Sequence, residues 1–282
     1  MTRQRKTADF LRKFAVYSGA FLVMALLVLM IGYILVRGLG GITWDFLSTA
    51  PSILKGTFGI LPNILNTLYV ILLCLVISLP LGVGAAVYLT EYATNPKLKS
   101  LIEAMVETLA AIPSIIYGLV GMLFFCNWMG LKLSLLSGCL TMVIVILPTI
   151  IRTTQESLKT VPASYREGAL GLGATKWHMI RTIIVPSALD GIITGAILAV
   201  GRIVGESAAL LFTAGLATGT INSIWDAYGK SGGTLSVSLY MYAMEEGEFE
   251  VAFTIGAVLL IIVFAINALT MLVQHKLKKS FE

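Results

Sequence analysis

The sequence predicts an all-α, polytopic membrane protein with six transmembrane helices. Hydrophobic residues make up 57% of the chain and charged residues only 12%, about half the charged share of an ordinary soluble domain. The mean hydropathy is +0.90, and apolar runs of about 20 residues, the length that crosses a bilayer as a helix, recur along the chain. A chain of this composition has too little polar surface to cover a soluble core.

Six apolar runs account for the predicted spans. The first lies between basic residues and is too long for the apolar core of a signal peptide, so we expect it to remain as an anchor. An amphipathic segment, 97–109, leads into the third span, and Pro80, Pro113 and Pro148 are expected to kink the helices. The six spans are predicted at about 14–36, 67–90, 110–128, 133–151, 189–214 and 251–273.

The distribution of lysine and arginine predicts the orientation. With the N-terminus in the cytoplasm, fifteen basic residues fall on inner segments and only four, Arg37, Lys55, Lys132 and Lys230, on outer segments. Because basic residues concentrate in cytoplasmic loops, both termini are predicted to be cytoplasmic. The three cysteines, Cys74, Cys126 and Cys139, lie in apolar stretches without disulfide or metal-ligand spacing, so we interpret them as core residues and predict no metal site.

Two short stretches match enzyme motifs only in part. Gly229-Lys230-Ser231 ends like a phosphate-binding loop, but that loop needs a glycine where Ile224 stands, and the segment is predicted to face outward. The same residues with Gly232 match the GxSG of rhomboid-type proteases, yet both histidines, His178 and His275, are predicted on the other side of the membrane. The chain is therefore predicted not to be an enzyme and to bind no ATP itself.

The inner loop 152–186 is the most informative connection. Glycine permits a sharp turn around Gly171 and Gly173, and 174–184 forms a short amphipathic helix with Trp177 and three isoleucines gathered towards one side. The loop is thus predicted to be a helical hairpin facing the cytoplasm. Two interpretations stay open from the residues: a knob that docks into a partner's groove, or a helix that lies on the membrane surface.

This loop resembles the signature of binding-protein-dependent ABC importer permeases, which reads Glu-Ala-Ala, three residues, Gly, nine residues, then Ile-x-Leu-Pro. Here Glu167-Gly168-Ala169, Gly173 and Ile183-Ile184-Val185-Pro186 have the same spacing, with Gly168 in place of alanine and Val185 in place of leucine. The resemblance implies a type I ABC importer permease-like fold, with the hairpin seated on a separate ATPase. The coupling residues it implies are Glu167, Gly168, Ala169, Gly173, Ala174, Trp177, Ile183 and Pro186.

Within that family, three stretches are similar to hallmark segments of the phosphate-specific permeases of the PstA type: AAIPSIIYGLVG (110–121), LPTIIRTTQESLKTVP (147–162) and GRIVGESAALLFTAG (201–215). The resemblance implies a cargo of inorganic phosphate, residence in the bacterial inner membrane, a second permease of the PstC type, two ATPase subunits of the PstB type and an external phosphate-binding protein of the PstS type. It implies no nucleic acid, and ATP and Mg are used by the ATPase chains, so this chain binds no cofactor.

The resemblance also divides the chain. Residues 1–60 would hold the cytoplasmic N-terminus, the first helix and an outer loop. Residues 61–275 would form the transmembrane domain, a five-helix core with the coupling hairpin 152–186. Residues 276–282 would be a basic cytoplasmic tail in contact with the lipid surface.

Arg202 and Glu206 stand within the predicted fifth span. A charge that faces lipid near the midplane costs at least about 2.5–3.5 kcal/mol, so both side chains must face protein or water. At i and i+4 they are expected to pair on one helix face, while Gly201 and Gly205 allow another backbone to approach. Either the pair is structural, or Arg202 meets the anion in transit with Glu206 holding it. Glu103 and Glu107 are expected to pair with Lys99 or to face the cytoplasm.

Other functions remain as alternatives. A permease for another oxyanion, such as sulfate, molybdate or phosphonate, would carry the same coupling motif. An ATP-independent carrier or channel would not need the inner hairpin, and the charges within a span argue against a sensor or scaffold that transports nothing.

Overall fold

The computed structural model describes residues 3–52, 58–217 and 229–281, with side chains for 11–52, 58–217 and 229–272. These ranges consist of helices joined by short connections and contain no strand. The helices, in chain order, are α1 (Arg3–Gly38), α2 (Trp44–Ser48), α3 (Leu61–Val87), α4 (Pro96–Ala111), α5 (Ser114–Gly121), α6 (Leu135–Thr160), α7 (Ala163–Gly171), α8 (Lys176–Ser187), α9 (Leu189–Gly205), α10 (Ala208–Thr213), α11 (Leu235–Tyr240) and α12 (Phe249–Phe281).

Several of these helices contain wider, π-helical turns. One such turn, Tyr88–Tyr92, extends the inner end of α3, and another, Met122–Trp128, extends α5. Met241–Glu245 extends α11, and Ile180–Ile184 lies inside α8. π-helical turns often occur at functional sites, and two of them meet at the hairpin described below.

The all-α membrane fold is confirmed. Four described helical segments, 11–41, 61–92, 135–160 and 249–272, are long and apolar enough to cross a membrane. Two bent pairs, 96–128 and 176–205, bring the number to six if each pair forms one span.

Three predicted boundaries are corrected. The predicted lead-in and the third span form two helices bent by 98° at a break that contains Pro113, because proline cannot continue the helix that precedes it. The second of them begins at Ser114 rather than near Ala110. The fourth span extends to Thr160 rather than ending near Ile151, since Thr154, Gln155 and Leu158 are buried against neighbouring helices. The hairpin consequently begins at Ala163.

The fifth predicted span is interrupted. Helix α9 ends at Gly205, Glu206 has an extended backbone (φ −86°, ψ 113°), and α10 begins at Ala208. The predicted continuous helix 189–214 is therefore wrong. Its apolar composition hid the break, which falls between Gly205, a poor helix former, and Ser207, a middling one.

The core lies between α3, α6, α9 and α10. Its fully buried members include Val70, Met142, Ile146 and Leu210. Helices approach closely where one contributes glycine: Gly195 of α9 lies against Thr153 of α6, so that a Cβ at that position would overlap the threonine side chain. Small residues at such contacts let membrane helices pack backbone to backbone.

The outer segment before α11 is fastened to the start of α3 by buried polar groups. The side-chain amides of Asn63 and Asn66 each donate to the carbonyl oxygen of Gly233 at 3.0 Å. The backbone N–H of Leu235 donates to Thr67 Oγ1 at 2.9 Å. These bonds satisfy backbone groups that neither water nor lipid would satisfy at this depth, and they hold α11 beside the end of α9.

Helix α1 packs on the rest of the chain through α12. Gly38 meets the backbone of Phe253, and the rings of Tyr33 and Phe253 contact edge to face with centroids 5.4 Å apart. Most other described side chains of α1 are exposed, as expected of a helix surrounded by lipid.

Candidate functional site

The hairpin formed by α7 and α8 turns at Gly173. Its φ of +82° is in the left-handed region, where glycine has no steric penalty. The N–H of Gly173 donates to Leu170 O at 3.0 Å and the N–H of Ala174 to Ala169 O at 3.1 Å, the bonding of a glycine-terminated helix. The predicted turn is confirmed at Gly173, whereas Gly171 is the last residue of α7.

One face of the hairpin packs under the inner ends of the membrane helices. Ala169, Met179, Ile180 and Ile184 are buried in a cluster that also contains Leu89 of α3's last turn, and Ile183 and Ala174 pack against its edge. A helix lying on the bilayer would insert such a face into lipid. Because this face already contacts protein, the structure favours the docking interpretation.

The opposite face of the hairpin carries exposed groups. Leu172 is 91% exposed and Trp177 is 60% exposed, while Glu167 and Gly168 are also exposed. The grouping of Trp177 with the isoleucines is therefore wrong. The π-helical turn Ile180–Ile184 contains one residue more than an α-helical turn. The isoleucines therefore do not keep the α-helical register with Trp177. Exposed apolar groups beside a charge are typical of a protein-binding surface.

The hairpin leads directly into α9. Pro186 lies in the last turn of α8, and the chain bends by 65° at Ala188 before α9 begins. Ser157 Oγ of α6 donates to the carbonyl oxygen of Ala188 at 2.9 Å. A displacement of the hairpin would thus act on the helix that carries Arg202.

An ion pair that the sequence analysis missed fixes α7 to the membrane helices. Arg166 Nη2 and Nε lie 2.7 Å and 3.0 Å from Glu91 Oε1, and these side chains are 23% and 7% exposed. Arg166 also donates to the carbonyl oxygens of Val161 and Leu158 at 2.8 Å and 2.9 Å. The two residues are 75 positions apart in the sequence, so no local pattern predicts the pair. The one hint in the sequence is that Arg166 directly precedes Glu167.

Arg202 lies in the last turn of α9 and is partly buried. Within the described ranges Arg202 has no ion-pair or hydrogen-bond partner.

The predicted pairing of Arg202 with Glu206 is wrong, because the helix ends between them. Glu206 Oε1 accepts from the backbone N–H of Ala209 at 3.2 Å, so the carboxylate caps α10, and the carbonyl oxygen of Glu206 accepts from Ser236 Oγ at 2.9 Å. A carboxylate at a helix N-terminus is stabilised by the free N–H groups there.

Gly201 and Gly205 have no neighbour among the described residues outside their own helix within 4 Å of a Cβ built on either, so the approach of another backbone stays a prediction. They line an apolar groove of about 420 Å³ together with Tyr240 and Met244 of the α11 segment and Leu260 of α12.

A polar pocket of about 230 Å³ lies between α4 and the inner end of α6. Glu107 pairs with Arg152 at 3.5 Å and Glu103 Oε1 accepts from Gln155 Nε2 at 3.2 Å, which corrects the predicted pairing with Lys99. The extension of α6 beyond Ile151 brings these partners against α4. Both members of the Arg152 pair are more than half exposed, so the pair contributes little stability.

The comparisons with known proteins agree with this geometry. Residues 78–282 match the family described as "Binding-protein-dependent transport system inner membrane component". The "Probable ABC transporter permease protein YqgI" of Bacillus subtilis is 37% identical over 80% of this chain and 78% of its own length. The "Phosphate transport system permease protein PstA" of Xylella fastidiosa is 38% identical over 63% of this chain and 62% of its own.

The fold matches a solved bacterial alginate ABC transporter with a TM-score of 0.66 at 16% identity, over 93% of this chain and 94% of that one. At this identity the likeness concerns the fold alone. The type I importer permease fold implied by the sequence is confirmed.

We predict opposite effects of alanine at two hairpin glycines. Gly173→Ala places a side chain at positive φ, which costs roughly 1–2 kcal/mol, and should loosen the turn. Gly168→Ala is the matched control: it lies in α7 with open space around it and should stabilise the hairpin by about 0.5–1 kcal/mol. Protease sensitivity of the hairpin in the purified protein measures both, and equal sensitivity of the two variants would contradict the prediction.

Proposed function

The chain belongs to the family of binding-protein-dependent transport system inner membrane components, and we propose that it moves inorganic phosphate into the bacterial cytoplasm as one membrane half of an ATP-driven importer. The assignment of an anionic cargo rests on Arg202. Its guanidinium is partly buried and has no carboxylate partner in the described structure. The relative named as a phosphate transport permease supports phosphate.

The chemistry of Arg202 suits an anion in transit. Arg202 lies thirteen residues into α9, about 20 Å along it at 1.5 Å per residue. A guanidinium offers planar, bidentate donors to oxyanions. Glu206, which follows the end of α9, places a negative charge nearby while its carboxylate caps α10. This charge would weaken the hold of Arg202 on phosphate enough for release.

Transport requires partner chains. Two ATPase subunits of the PstB type, which use ATP and Mg, would dock on the exposed hairpin face around Glu167 and Trp177. A second permease of the PstC type would complete the pathway and cover the groove at Gly201 and Gly205, and an external binding protein of the PstS type would deliver phosphate. Both chain termini would lie in the cytoplasm, as the basic residues indicate.

The motion of the ATPases reaches the pathway through the hairpin. Its buried face packs on α3 and α6, and its C-terminal end continues through Ala188 into α9. Closure of the ATPases on ATP would thus displace the helices that surround Arg202. No covalent step takes place on this chain.

Arg202→Gln should reduce phosphate uptake. Loss of hydrogen bonds to a charged group, about 1.5–3 kcal/mol, corresponds to a roughly 10- to 100-fold slower uptake. The measurement is ATP-dependent uptake of radiolabelled phosphate into proteoliposomes that contain the complete complex. Lys97→Gln removes an exposed cation at the inner end of α4 and should leave uptake unchanged.

Subunit composition of the Arg202→Gln complex should equal that of the wild type by size-exclusion chromatography. Full uptake by this variant would remove Arg202 from the pathway. Uptake of sulfate, molybdate or phosphonate in place of phosphate by the wild-type complex would reassign the cargo.

Glu167→Lys should separate the ATPase from the permease. Glu167 is exposed on the docking face of α7, so reversal of its charge places a repulsive group at the interface without disturbing the buried face. Co-purification should recover the two permeases with little ATPase, and uptake should be lost. Retention of the ATPase at wild-type stoichiometry would exclude Glu167 from the interface.

A further inference from the structure

The inner end of α3 is held by both arms of the hairpin. Glu91 and Tyr92 are the last two residues of the π-helical turn that ends α3. Arg166 of α7 binds Glu91 at 2.7 Å, and the Lys176 ammonium of α8 lies over the ring of Tyr92, 4.9 Å from its centroid. We call these four side chains the inner latch.

Arg166 connects three elements through one planar group. Its donors reach Glu91 after α3, Leu158 in the last turn of α6, and Val161 just beyond that turn. Arginine orients itself rigidly when several of its N–H groups are bound at once. The Glu91 side chain is only 7% exposed, so water does not compete effectively for the pair.

The position of the latch suits the transmission of force. Arg166 directly precedes Glu167 on the docking face, and α3 packs along both α6 and α9, the helix that carries Arg202. We propose that the inner latch makes α3 move with the hairpin, so that Arg166 and Glu91 are positioning residues that couple ATP hydrolysis to opening of the pathway. This inference rests on the proposed function, because it names the transmission element of the same importer.

A latch that transmits motion and an ion pair that only stabilises the fold predict different effects of a substitution. Loss of the latch should leave the ATPases docked through the exposed face, yet hydrolysis should proceed with less transport. The ratio of ATP hydrolysed to phosphate imported reports this uncoupling, whereas simple destabilisation lowers both rates together.

The first experiment compares variants in proteoliposomes of the complete complex, with ATP hydrolysis and phosphate uptake measured in the same vesicles. Glu91→Gln and Tyr92→Leu should each raise the ATP-to-phosphate ratio several-fold, while Tyr92→Phe, which keeps the ring under Lys176, should retain the wild-type ratio. Glu156→Gln is the matched control, since it neutralises an exposed carboxylate paired with Arg152 at 3.5 Å. An unchanged ratio in Glu91→Gln would overturn the proposal.

The second experiment does not depend on the cargo. Spin labels at Tyr88 and Ser164, exposed sites on the α3 end and on α7, report the distance between the two elements in the wild-type complex with ADP and with trapped ATP. The distance should be the same in both states, and Glu91→Gln should broaden it. A shift of several ångströms between states in the wild type would mean that the hairpin moves independently of α3 and would overturn the latch, even if Glu91→Gln fails to assemble.

The two proposals fail differently. A wild-type complex that imports no phosphate would refute the assigned cargo, while a nucleotide-independent label distance that Glu91→Gln broadens would still support the latch. A complex that imports phosphate but whose variants remain fully coupled would refute the latch alone.

Discussion

A charged or polar group inside a membrane must be satisfied by protein, because hydrocarbon offers no partner. The structure satisfies such groups in different ways in different parts of the fold. The outer segment at Gly233 is bound by two asparagine amides, and the carboxylate of Glu206 is bound by the N-terminus of α10. Among the charged groups, Arg202 is an exception: it has no such partner among the described residues, and we propose that the anion in transit supplies one.

The break between α9 and α10 makes that exception possible. In one continuous helix, Arg202 and Glu206 would face each other across a single turn and neutralise each other. The extended backbone at Glu206 directs its carboxylate to Ala209 instead. A short irregular segment at membrane depth, tolerated because protein surrounds it, thus separates two charges that the sequence places side by side.

At the hairpin, the same requirement for partners joins several helices to one another. Arg166 gathers a carboxylate and two helix-end carbonyl groups, and the apolar face of the hairpin packs beside it. These bonds join α3, α6 and α7 where the ATPase would act. The exposed face with Glu167, Leu172 and Trp177 is left for docking.

The residues alone determined the membrane class and the six apolar segments, because hydropathy acts over whole segments and needs no tertiary contact. The orientation that basic charge predicts stays a prediction. The spacing from Glu167 to Pro186 likewise identified the hairpin, and Gly173 its turn, since glycine's freedom at positive φ is a local property. Only the tertiary structure decided where α6 ends, that α9 breaks at Glu206, and that Arg166 meets Glu91 across 75 positions. These features depend on which polar groups find hydrogen-bond partners once the helices have packed. Partners that are far apart in the sequence produce no periodic pattern in it.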